Sequence, residues 1–178
     1  VLYTSSTSLD SLYTLDVLTG NATLVGFYGS STVVMHGLEF EQSTGRLFGG
    51  SNGNLFSIDP NTGVATQIGS TGLTSFLNLG YDSAAGIMYA TNSGTDSYYS
   101  MDLNTGVATL IGPLNGPTNP NGLAFNHDNG LMYLVDNSTD NLYTINPTTG
   151  AATLIGSTGT GNLLGLVYIE NPAPAGHA

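Results

Sequence analysis

Few residues in this chain could do chemistry. The densest group is Asp136, Asn137, Ser138, Thr139 and Asp140. Crowded oxygen donors suit a hard cation, which makes Asp136, Asn137 and Asp140 candidate Ca²⁺ ligands. The spacing is not that of an EF-hand loop, and Asp and Asn also build turns. Asp96 holds the place of Asp140 one repeat earlier, three residues before a Tyr, and is a candidate ligand-binding residue. His36 and Glu39 are the one acid–histidine pair near a possible pore, and they too are ligand-binding candidates. His36, His127 and His177 fall at different places in the sequence pattern, so they do not form the converging set that zinc needs. There is no Cys, no Gly-x-Ser-x-Gly and no Ser beside an obvious base. No catalytic residue is assigned, no cofactor beyond Ca²⁺ is implied, and the expectation is that the chain is not an enzyme.

These residues sit in loops of a repeated unit. The pairs Thr19 and Gly20, Thr62 and Gly63, Thr105 and Gly106, and Thr149 and Gly150 recur about every 43 residues. A short strand precedes each pair and ends on Asp16, Asp59, Asp102 or Asn146. An Ala-Thr strand follows at Ala22, Ala65, Ala108 and Ala152. Runs of four to six β-branched and aromatic residues between Gly, Asn, Asp and Pro are the mark of antiparallel strands joined by tight turns. Four such strands per unit, at this period, predict propeller blades. The turn acids read as hydrogen-bond acceptors, since Asn146 replaces Asp once. Phe40, Tyr81, Phe125 and Tyr168 recur at one position of each innermost strand and read as packing between blades.

The phase of the repeat predicts how it closes. Residues 165–169 look like an innermost strand with nothing after it but a tail, while the chain opens at Val1 in a second strand. Pairing the last strand with the first three would complete a fourth blade and remove both free edges. The expected architecture is all-β: a four-bladed β-propeller of four-stranded antiparallel blades, closed by that C-terminal strand. It occupies residues 1–170 as one domain, with 171–178 a flexible Pro/Ala tail.

Composition narrows the partners. The formal net charge is −11 and Arg46 is the single Lys or Arg, which argues against nucleic acid and against anionic membranes. No apolar run reaches membrane-spanning length. A start at Val1 without Met, and almost no sites for trypsin, point to a secreted, extracellular or cell-surface protein. Asn21 and Asn137 open Asn-x-Thr/Ser sequons and are glycosylation candidates.

The blade pattern Leu-Tyr-x-Ile-Asp-x-x-Thr-Gly-x-Ala-Thr-Leu-Ile-Gly resembles the YVTN/NHL-type propeller blades of secreted bacterial and archaeal surface proteins, over essentially the whole chain. Such blades host lyases, lectins, adhesins and scaffolds alike, so the resemblance implies the fold and leaves the function open. The function expected from these features together is an extracellular scaffold or interaction module. Its partner would be a protein or a second copy, with self-assembly into a fibre by strand exchange. The alternative is a carbohydrate- or calcium-dependent binder, in which case a polysaccharide is the partner.

Overall fold

The computed structural model describes residues 1–30, 32–75, 77–159, 161 and 163–168. They form fifteen strands and no helix. Blade one is the three-stranded sheet β1 (Leu2–Ser6), β2 (Ser11–Leu15) and β3 (Ala22–Phe27). Blade two holds β4 (Gly37–Glu41), β5 (Arg46–Ser51), β6 (Asn54–Ile58) and β7 (Ala65–Ser70). Blade three holds β8 (Leu77–Asp82), β9 (Ile87–Asn92), β10 (Ser97–Met101) and β11 (Ala108–Pro113). Blade four holds β12 (Pro120–Asn126), β13 (Leu131–Asp136), β14 (Asn141–Ile145) and β15 (Ala152–Ser157). Each is an antiparallel meander, and the predicted all-β four-bladed propeller arrangement is what the chain adopts.

The turns explain why the meanders form. In the last hairpin of each blade, Oδ1 of Asp16, Asp59, Asp102 or Asn146 accepts two backbone N–H groups, at 2.8–3.3 Å. The Gly closing each turn sits at φ between 74° and 80°, a region open to Gly without strain. Backbone N–H bonds hold the three acids below the usual carboxylate range. A bulge recurs at one place between the last two strands of every blade, as at Leu55 and Phe56. It bends the outer strand and increases its twist.

Blades pack face to face, with one apolar cluster per joint. Between blades one and two lie Leu12, Tyr28, Met35, Phe56 and Ile58. Between two and three lie Leu55, Leu79, Met88, Tyr99 and Met101. Between three and four lie Tyr98, Leu123, Leu134, Tyr143 and Ile145. So Leu12, Leu55 and Tyr98 face the following blade, while Phe56, Tyr99 and Tyr143 face the preceding one. The crossing loop after β3 packs inward, with Tyr28 1% and Met35 0% exposed, as its apolar character predicts.

Each joint is also bolted through the backbone. Gly26, Gly69 and Gly112 lie so close to the next blade's turn that a Cβ would overlap the carbonyl oxygen of Thr62, Thr105 or Thr149. Beside them the N–H of Ala65, Ala108 and Ala152 donates to the carbonyl of Tyr28, Thr71 and Leu114 at 3.1, 3.2 and 2.8 Å.

The closing clasp is corrected by the structure. Residues 163–168 lie in no strand, β1 has only β2 beside it among the described residues, and blade one keeps three strands. Residues 169–178, including Glu170, His177 and the expected tail, lie outside the described residues.

Candidate functional site

Glu39 lines a hollow of about 770 Å³ bounded by the inner strands, by β1 and by residues 165–168. β4 places it there. Alternation puts Glu39 on the same strand face as Gly37 and Glu41; those two are buried, and Glu39 between them is half-buried where that face meets the hollow. Its Oε1 accepts a hydrogen bond from the N–H of Phe40 at 3.2 Å. Burial nonetheless pushes its carboxyl up to about 8, because the charged form has lost water and gained little in return.

The aromatic position of each inner strand, Phe40, Tyr81 and Phe125, lines the same hollow, and so does Tyr168 in the segment after β15. Tyr81 and Phe125 also belong to the blade joints, so the expected packing role holds for those two. Phe40 is 40% exposed into the hollow, which packing alone does not explain. His127 lines the cavity as well. Its Nδ1 meets the Ser83 hydroxyl at 2.7 Å, and its ring lies 5.1 Å from Phe125 and 5.6 Å from Tyr168.

His36, paired with Glu39 in the sequence, is exposed at the end of the crossing loop and does not line the cavity. His127 is the histidine brought to the hollow. One sequence signal could have found it: it stands two residues after Phe125, a ring position of the inner strand. Next to the hollow, buried Glu41 is pushed up by burial. It is drawn down further by Thr44, by Arg46 at 2.9 Å and by Ser43, so it stays below its ordinary value.

The acidic loops lie elsewhere. Asp10, Asp96 and Asp140 take left-handed backbone, at φ 46°, 46° and 52°, where blade two has Gly53 at 75°. Asp and Gly alternate there because few other residues tolerate that conformation. Their carbonyls accept the N–H of Tyr28, Leu114, Thr158 and, in blade two, Thr71. Asp136 is a backbone clamp. Oδ2 accepts the N–H of Thr118 and Asn119, and Oδ1 accepts those of Ser138 and Thr139 and the Thr139 hydroxyl, all within 3.1 Å. Oxygens so engaged have little left for a cation. Asp96 Oδ1 and Asn137 Oδ1 are shielded from solvent without a hydrogen-bond partner, and burial and the charge of Asp136 raise Asp96. Among the described residues, no three His, Asp or Glu side chains converge as a metal site. Asn21 is exposed after its turn, whereas Asn137 is half-buried.

No family model and no curated protein matches the sequence. Solved structures do. The chain is similar to one in a nidogen/laminin complex, at TM-score 0.70 and 16% identity, covering 88% of this chain and 62% of that one. It is similar to a catalytically inactive virginiamycin B lyase from Staphylococcus aureus with quinupristin, at TM-score 0.64 and 12% identity, covering 89% and 52%. It is also similar to an auxiliary nutrient binding protein from Bacteroides thetaiotaomicron, at TM-score 0.62 and 14% identity, covering 94% and 53%. The chain thus spans between half and two thirds of the length of these structures. At such identities the likeness is one of fold, and the class of protein it defines is the β-propeller. It also corrects one expectation. The sequence pointed away from an enzyme, yet this fold houses a lyase, so neither the fold nor the lack of a familiar catalytic motif excludes catalysis.

Proposed function

We propose that the chain is an extracellular binding propeller whose axial cavity takes a small ligand carrying a basic amine on an apolar body. The observation that carries this is Glu39: one half-buried carboxyl, bonded among the described residues only by its neighbour's N–H, in a hollow walled by aromatic rings. Pockets of several hundred Å³, mostly apolar with a few placed polar groups, are the usual form of small-molecule sites. An ammonium would restore the charge partner that burial denies Glu39, and the rings would cover its apolar body and attract its charge. An acidic surface of net charge −11 draws cations towards the site. Support for an extracellular setting comes from the scarcity of Lys and Arg and from the exposed sequon at Asn21.

The test is a thermal-shift and calorimetry panel of aromatic and aliphatic amines, matched neutral analogues, neutral sugars, and Ca²⁺ against EDTA. Amines should stabilise the parent and fail with Glu39→Gln. Because binding requires Glu39 ionised, affinity should rise with pH towards about 8, with release of a proton. A panel in which no amine shifts the parent, or in which Glu39→Gln responds equally, defeats the assignment. A shift with Ca²⁺ alone would move the site to the loops at Asp96 and Asp136.

A further inference from the structure

We propose that the outer face of blade four and the opening face of blade one are two halves of one joint, and that a second copy of this chain fills each of them. Every internal joint has the same parts. A third-strand residue faces forward, a Gly in the fourth strand abuts the next blade's Thr-Gly turn, and an aliphatic residue beside that Gly is half covered: Val25, Ile68 and Ile111.

Blade four presents the forward half with nothing against it among the described residues. Leu142 is only half-buried, where Leu12, Leu55 and Tyr98 are fully buried. Ile155 is 53% exposed, and Gly156 has no atom within 4 Å of an added Cβ. Blade one presents the receiving half in the same condition. Tyr13 and Leu15 are half-buried, where their counterparts Phe56, Ile58, Tyr99, Met101, Tyr143 and Ile145 are buried. The turn at Thr19 and Gly20 meets no glycine, since an added Cβ on Gly20 finds nothing within 4 Å.

The segment at 163–168 fits this joint. A Cβ on Gly122 would lie 2.8 Å from Gly165 C and Leu166 N, as one on Gly37 would meet Leu77 and Asn78 of the next inner strand. So the segment already lies where a following blade's first strand belongs, and among the described residues blade one is the blade with three strands rather than four. Among the described residues, Gly156 and the turn at Thr19 and Gly20 do not meet within one chain, although β1 and residues 165–168 border the same hollow. Between two chains, each tail segment would supply the missing strand of its partner's blade one. The joint is heterologous, and made twice it closes a two-fold ring. Such a pair holds eight blades, within the roughly 4–8 of closed propellers.

The test uses the full chain and one glycine. Gly156→Val adds a side chain into open space in the single copy but would strike the Thr19 carbonyl in the pair, as Gly112 would strike Thr149. Light scattering on a sizing column across a wide concentration series should give the parent twice the 18.3 kDa of the chain, and the variant 18.3 kDa with an unchanged circular dichroism spectrum. Three results overturn the proposal. One is a parent monomeric at every concentration, which would give the faces to another occupant such as further blades. The second is a parent heavier than two copies, and the third is a variant that pairs as tightly as the parent.

Discussion

Glu39 shows how far one residue's behaviour depends on what the strand beside it does. As a sequence feature it is an acid near a His. In the structure its carboxyl has one backbone partner and a largely apolar hollow, and its pKa climbs from 4.5 to about 8. A carboxyl raised on folding stabilises the fold fully below its unfolded pKa, and that contribution is lost as pH rises through the folded value. Relative to Glu39→Gln, the parent should therefore lose melting temperature between about pH 5 and 9. Scanning both proteins across that range checks it, and parallel curves would show that Glu39 is better solvated than its position implies. The turn acids were legible because a side-chain acceptor followed by Thr-Gly is a local chemistry. The loop acids were not. Asp96 and Asp140 looked like ligands, but backbone conformation places them, and Gly53 at the equivalent position was the clue.

At the scale of elements, strands and turns were almost fully readable, because alternation and Gly-bounded runs encode them locally. Which face of each strand meets which neighbour was not. Both faces of a middle strand are apolar, and only the joints separate Leu55 from Phe56. The joint itself rests on glycine for lack of volume. Gly69→Ala would drive a methyl into the Thr105 carbonyl, a backbone atom that cannot step aside without moving the blade. A loss of about 3 kcal/mol in chemical denaturation is expected, at the upper end for overpacking. A loss under about 0.5 kcal/mol, typical of surface changes, would mean the joint is looser than described.

For the whole molecule, the sequence predicted four blades and erred on their closure. A repeat period sets what a blade contains; the angle between blades comes from strand twist and from how deeply each Gly seats on the next turn, and neither is written in the pattern. This chain overlays 62% and 52% of the length of two longer chains. Charge is the other global property. With twelve acids and a single Arg, the folded chain repels itself, and screening should relieve this. The melting temperature at neutral pH should rise on going from about 10 mM to about 500 mM NaCl, as the Debye length falls. A fall would show that the ion pair of Arg46 and Glu41 outweighs the general repulsion.

The glycine seat carries a consequence for how such a molecule can change size. What spaces neighbouring units is main chain against main chain, and every unit brings both surfaces with it. A duplicated or deleted stretch of about 43 residues would find the same seat waiting wherever it landed. Lineages could then lengthen or shorten the array by whole units, while side chains elsewhere drift towards new partners.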